Sequence, residues 1–233
     1  MKSLVEDQAQ KKAVFNFYNT YLSVVYGLLV TDGLHYLVAY ISEPEKMKLF
    51  NSVKAFLLAG TLLTAFHFWY VCATVDDLAQ DCYRIVAETN TAYFDLLVLF
   101  DAVIATVFAG LVLAMFEAIP QNNERLFFWF LCGAVLSLLY DFGSSLVVLH
   151  GGRAQQEERH QQTIHKYGRK IIYWTTGDVI FLGVSAAMYF LYHSLEAKHS
   201  VALASAFAVF TVFLLLSDVD LWTFGKVRGR SVP

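Results

Sequence analysis

The chain has 233 residues, of which 57% are apolar and 16% are charged, and twenty of them are phenylalanine. One soluble core cannot bury this much apolar surface, so the composition excludes an ordinary water-soluble domain and predicts a membrane protein. The net charge of −3 is small, and we expect no nucleic acid among the partners.

Six long apolar runs follow one another along the chain. A transmembrane helix needs roughly 20 mostly apolar residues to cross about 30 Å of hydrocarbon, and every run meets this length. We predict an all-α polytopic membrane protein, with residues 1–233 forming a single transmembrane domain. The predicted spans are residues 14–41, 49–73, 93–119, 125–150, 171–194 and 200–224.

Lysine and arginine are unevenly distributed between the two sides of these spans. With the N-terminus in the cytosol, twelve basic residues fall inside and five fall outside. Cytosolic loops carry the excess of basic residues in membrane proteins. We therefore predict an integral membrane protein whose N- and C-termini are both cytosolic.

A faint internal repeat relates the third and fourth runs to the fifth and sixth. A shift of 77 residues lays two pairs of acids on each other, Asp101 on Asp178 and Asp141 on Asp218. A repeating unit of two helices predicts three parallel helical hairpins related about the membrane normal. An inverted repeat, which matches residues 29–32 to 138–141, ranks second.

Aspartates inside the predicted spans are the most informative feature. An ionisable residue at the bilayer centre costs about 3 kcal/mol, and no Lys or Arg lies deep in any span. Each carboxyl group is protonated and hydrogen-bonded, ionised beside water, or ionised beside a cation. The last two states form a cation pathway, whereas the first one links helices. The seven are Asp32, Asp95, Asp101, Asp141, Asp178, Asp218 and Asp220.

The best local group of polar residues is on the first helix, where His35 and Tyr36 lie one turn beyond Asp32. Histidine titrates near neutral pH, so the group indicates a proton- or cation-responsive site; the alternative is a polar cluster between helices. His67 is either a packed histidine or part of a gate. The predicted ion pathway consists of Asp32, His35, Tyr36, His67, Asp101, Asp141, Asp178 and Asp218.

Enzymatic and metal-binding motifs are absent from the sequence. No GxSxG, HExxH, Walker or Rossmann motif occurs, and the three cysteines, Cys72, Cys82 and Cys132, lack CxxC spacing. His160 and His165 are five residues apart, which is poor helical geometry for one metal ion. We expect no enzymatic activity, no cofactor and no metal site.

The segment Val30-Thr31-Asp32-Gly33 resembles the Phe-Ser-Asp-Gly motif on helix 1 of the six-helix potassium channel family without a pore loop. The stretch from His67 to Trp69 is similar to the Trp- and His-rich second helix of that family. This resemblance covers the first two helices. It implies an oligomer in which helix 1 lines the pore.

These patterns predict a homo-oligomeric, cation-conducting channel subunit in the lipid bilayer, with protons among the candidate ions. One alternative is a proton-coupled secondary transporter, in which a carboxylate binds and releases H⁺ while the hairpins move. Another is a membrane sensor or scaffold whose connection Gly151–Lys170 and C-terminal Lys226, Arg228 and Arg230 bind a cytosolic protein or anionic lipid.

Overall fold

The computed structural model describes residues 2–42, 52–74, 91–121, 123–152, 158–194 and 200–228, and these ranges are helical throughout. This confirms the predicted all-α class. Each predicted span lies on one helix, except that residues 49–51 of the second span are outside the described residues. α1 and α5 begin earlier than expected because the preceding polar residues continue the helix. The elements are α1 Lys2–Ser42, α2 Ser52–Thr74, α3 Thr91–Gln121, α4 Asn123–Gly152, α5 Glu158–Ser194 and α6 Ser200–Arg228.

Within the described ranges, three helices are long and apolar enough to cross a membrane, as in an integral membrane protein. The stretches are Val98–Ile119 in α3, Glu124–Gly143 in α4 and Trp174–Tyr192 in α5. In α3, 33% of the apolar window is buried inside the bundle, while exposed apolar side chains such as Leu99, Val103 and Val107 provide a surface suited to lipid contact.

The other three helices carry shorter apolar stretches, Ser23–Ala39 in α1, Val53–Phe68 in α2 and Ser200–Leu216 in α6. Three of the six predicted spans are therefore confirmed by length and hydropathy. Membrane crossing by α1, α2 and α6 stays a prediction.

The helices do not pack as three equivalent hairpins. The most extensive contacts join α2 to α6, α4 to α5, and α3 to α4, while α1 packs on α3 and α2. Equivalent hairpins would also bring α5 and α6 into extensive contact, but these two helices touch only slightly. The reason is that α6 packs along α2. The last helix therefore lies beside the second helix and not beside α5, which precedes it in sequence.

Aromatic rings connect the second half of the bundle. Phe130 of α4 packs edge to face on Phe207 of α6, with ring centroids 4.7 Å apart, and on Phe181 of α5 at 5.0 Å. All three rings are buried. Such pairs contribute about 0.5–1.5 kcal/mol each beyond area burial, which matters because lipid provides little hydrophobic force between helices.

Buried hydroxyl groups are satisfied within their own helices. Thr61 donates to the carbonyl oxygen of Leu57 at 2.8 Å, and Ser185 donates to that of Phe181 at 2.6 Å. Both residues are 0% exposed. Hydrogen bonding to a carbonyl four residues earlier removes the cost of burying the hydroxyl, so these residues are compatible with an apolar surrounding.

Candidate functional site

One side of α1 points away from the bundle and carries polar and small residues interleaved with the exposed apolar side chains of Val24, Leu28, Leu34 and Val38. We call this exposed surface the α1 face; it comprises Ser23, Gly27, Thr31, Asp32 and His35. The other side of the helix is packed, since Tyr26 is 1% and Leu29 is 2% exposed. The structure thus brings Asp32 and His35 together on the outer surface of a single copy.

Gly33 determines which way α1 is turned. A β-carbon at this position would lie 2.7 Å from Cζ of Phe116 and 2.9 Å from Cδ2 of Leu62. Because only a residue without a side chain fits there, α1 approaches α2 and α3 with Gly33 inward. Tyr36 is half-buried beside the α1 face, and its ring stacks on Phe116 with centroids 6.1 Å apart.

Polar groups on the α1 face differ in whether they have hydrogen-bonding partners. Thr31 donates its hydroxyl hydrogen to the carbonyl oxygen of Gly27 at 2.8 Å. Asp32 and His35 make no hydrogen bond or ion pair within the described part of the chain. The row Ser23, Gly27 and Thr31 has the spacing that lets a second helix approach closely in a membrane. The face therefore combines an unsatisfied carboxyl group with a surface suited to close packing.

Three of the predicted pathway acids lie at one end of the bundle. Asp101 and Asp178 are near the beginning of the apolar stretches of α3 and α5, and Asp141 is near the end of that of α4. Neighbouring antiparallel helices bring these positions to the same side. We call Asp101, Asp141 and Asp178 the acidic layer.

Asp101 is the most buried member of the acidic layer, at 2% exposure. Its carboxyl group is hydrogen-bonded to the side chain of Tyr140 on α4. The Tyr140 ring in turn stacks on Phe100, with centroids 6.0 Å apart and planes within 10°. Asp101 Oδ1 is buried and accepts no hydrogen bond from the described residues. The group sits in the α3–α4 interface and does not contact lipid.

The other acids are less enclosed. Asp141 and Asp178 are half-buried, and Oδ2 of Asp141 is buried. Asp218 lies on α6, but its side chain is outside the described residues, as are those of Asp95 and Asp220. The acidic layer is therefore described for three of the four helices on which the repeat predicts an acid.

His67 lies between the two ends of the predicted pathway. It is half-buried, and its ring is 5.4 Å from that of Phe68, which packs on Phe108 of α3 at 4.3 Å. Along α3, Phe108 is roughly midway between Phe116, which contacts Gly33, and Asp101.

These contacts show where each predicted residue lies along the axis of the bundle, which we call its height. From Phe116 to Asp101 the axis of α3 extends about 22 Å, at 1.5 Å per residue. Asp32 and the acidic layer are thus in opposite halves of the bundle. One copy of the chain does not gather the predicted pathway residues into a single cluster.

Two interhelical contacts were not predicted from the sequence. Tyr140 meets Asp101, and the Tyr21 hydroxyl on α1 is hydrogen-bonded to Thr106 on α3. The first had a detectable signal: only residue 122 separates α3 from α4, and Asp101 and Tyr140 are nearly equidistant from this turn. The second had none, because its helices are not consecutive.

Neither the possible metal ligands among the described residues nor a similarity to known proteins indicates a further site. Among the described residues, no group of three or more His, Cys, Asp or Glu side chains could hold a metal ion. Cys132 is a half-buried free thiol on α4, while the side chains of Cys72 and Cys82 are outside the described residues. The chain matches no family model, no curated protein and no solved structure.

Proposed function

We propose that this chain is a subunit of a cation-conducting channel that assembles from several copies, with protons among the candidate ions. In this proposal all six helices cross the membrane and both termini are cytosolic. The observation that carries it is the exposure of Asp32 within the apolar stretch Ser23–Ala39 of α1.

A carboxyl group at this position is costly if it faces acyl chains. Insertion of an aspartate costs about 2.5–3.5 kcal/mol at the centre of a span and less towards its ends. Asp32 lies at the height of Phe116, close to the end of the apolar stretch Val98–Ile119. Contact with water or with another copy of the chain removes this cost. Copies arranged about a common axis, each with its α1 face turned inward, satisfy both conditions and surround a path with Asp32 carboxyl groups. Rings of acidic side chains are a known means of selecting cations.

Helix lengths and charges support the six-span arrangement. α1, α2 and α6 contain 41, 23 and 29 residues, which is enough helix to reach across about 30 Å of hydrocarbon at 1.5 Å per residue, although their apolar stretches are shorter. The twelve-to-five distribution of basic residues supports cytosolic termini. The resemblance of residues 30–33 to the potassium channel motif supports the same architecture, with α1 lining the path.

The test is cation flux into proteoliposomes, with assembly measured separately. Asp32→Asn preserves side-chain size and hydrogen-bonding capacity but removes the charge, so the oligomer should form while flux falls or loses ion preference. Asp32→Glu should retain part of the flux. If Asp32 only links helices, asparagine should substitute without effect, because an amide also bonds across helices.

A matched control is Glu117→Gln. Glu117 is an exposed acid on α3, next to Phe116 and hence at nearly the same height as Asp32. Its neutralisation removes the same charge from a different surface and should leave ion preference unchanged. Equal losses in both variants would indicate a general effect of surface charge, and Asp32 would not belong to the path.

A proton-coupled transporter is the second candidate, and the buried pair Asp101 and Tyr140 favours it, since a carboxyl group between two helices suits proton coupling. Flux that requires a co-substrate would support the transporter, whereas flux that follows the electrochemical gradient alone would support the channel. The scaffold alternative relies on the Gly151–Lys170 connection, of which residues 153–157 are outside the described ranges, and on the C-terminal basic residues, whose side chains are outside them.

A further inference from the structure

The α3–α4 interface encloses a carboxyl group that is separate from the proposed ring of Asp32 carboxyl groups. Asp101 is 2% exposed, and the Tyr140 hydroxyl is its hydrogen-bonding partner. The second carboxyl oxygen, Oδ1, is buried without a partner among the described residues. Stacking of Tyr140 on Phe100 holds the hydroxyl in place, so the site is built from both helices.

No positive side chain near Asp101 is described that could neutralise it. Lys54 and Arg125 are the basic residues at the ends of the described apolar stretches, and both belong to the end of the bundle opposite Asp101. Arg125 precedes Tyr140 on the same helix by roughly 22 Å of axial length, at 1.5 Å per residue.

Other titratable groups on the helices packed against α3 also leave the carboxyl group without a counter-charge. On α1, Tyr21 is bound to Thr106. On α2, His67 lies at the height of Phe108, two turns from Asp101. On α4, Asp141 follows Tyr140 directly and has a buried Oδ2.

A carboxylate in this position would lose its hydration without gaining a cation from the described side chains, which is among the most costly forms of burial. The neutral acid avoids that cost. We propose that Asp101 is a proton-binding site: Oδ1 carries the proton, and Oδ2 accepts the hydrogen bond of Tyr140, while α3 and α4 are packed together. Binding forms one O–H bond with a proton taken from water and changes the side-chain charge from −1 to 0.

Release of this proton has a structural consequence. The resulting carboxylate can be stabilised only by water or a cation, and neither reaches a group that is 2% exposed. Proton release therefore requires α3 and α4 to separate around Tyr140. This inference does not rest on the proposed channel function, because it concerns the resting protonation state of one interface.

Infrared spectroscopy of the full-length protein labelled with ¹³C-aspartate tests the proposal. In neutral to mildly acidic buffer, the wild type should show the carbonyl band of a protonated aspartic acid, shifted by the label. Asp101→Asn should lower the intensity of this band by the contribution of one carboxyl group. Absence of the band in the wild type, or an unchanged intensity in Asp101→Asn, would overturn the proposal.

Tyr140→Phe keeps the ring that stacks on Phe100 but removes the hydroxyl, and it covers the case in which Asp101→Asn fails to fold. The Asp101 carbonyl then loses a hydrogen bond, so its band should move to higher frequency. A band that does not move belongs to a different aspartate and contradicts the assignment. Asp32→Asn is the control and should leave the band unchanged, since Asp32 is exposed on another helix.

Discussion

Gly60 of α2 lies directly against the ring of Phe207 of α6. A β-carbon on Gly60 would be 2.4 Å from both Cδ1 and Cε1 of that ring. Phe207 is 0% exposed, and its ring packs edge to face on Phe127 at 5.8 Å and on Phe130 at 4.7 Å. The ring is enclosed by α4 as well as α2, so it cannot move aside, and the approach of α2 to α6 depends on glycine at this position.

Gly60→Ala should therefore destabilise the bundle. Overpacking of a filled core costs about 1–3 kcal/mol, and this substitution forces a methyl group against a buried ring. The measurement is reversible unfolding of the purified protein in detergent or bicelles, with the free energy of unfolding compared with that of the wild type.

Gly110→Ala is the matched control for this substitution. Gly110 is also within a helix, but a β-carbon there meets nothing within 4 Å. Alanine should leave stability equal or slightly increased, because it favours helix more than glycine by about 1 kcal/mol. Equal stability of the Gly60 and Gly110 variants would contradict the described contact between α2 and α6.

Disulfide cross-linking can identify the surface through which copies assemble. In a background without Cys72, Cys82 and Cys132, Gly27→Cys should form cross-linked dimers upon mild oxidation in membranes. Gly27 is exposed in the middle of the α1 face, and its β-carbon would meet nothing within 4 Å. Two thiols bond when their Cα atoms are about 4.4–6.8 Å apart, which a close helix–helix contact provides.

Gly183→Cys provides the comparison for cross-linking. Gly183 on α5 is equally exposed, with open space around its β-carbon, but it is not on the α1 face. The Gly183→Cys variant should remain monomeric under the same oxidation. Similar cross-linking at both positions would reflect random collision, and cross-linking at Gly183 alone would show that copies meet through α5.

Orientation in the membrane is tested by accessibility of single cysteines in the same background. The distribution of basic residues predicts that Asn122→Cys reacts with an impermeant thiol reagent added outside cells. Gln156→Cys should react only after permeabilisation. The two positions are separated by α4, which crosses the membrane, so they must differ. The reverse pattern would place the N-terminus outside.

The sequence by itself determined that this protein belongs in a lipid membrane and that its secondary-structure elements are helices. Runs of apolar residues are local, and a helix that satisfies its own backbone hydrogen bonds is the natural structure for such a run in lipid. For this reason the all-α class and the positions of α1 to α6 could be predicted without knowing which helices touch. Polar residues inside the runs, such as Asp32 and Asp101, could also be recognised from the sequence.

Only the tertiary structure decided which way those residues face. Helices that are apolar on all sides show almost no amphipathic pattern, so the sequence does not reveal which side is packed. Packing of Gly33 on Phe116 turns Asp32 outward, and the packing of α3 against α4 brings Asp101 to Tyr140. Likewise, α6 lies beside α2 because Phe207 fits against Gly60. Each outcome depends on the shapes of side chains from helices distant in sequence, which local periodicity does not encode.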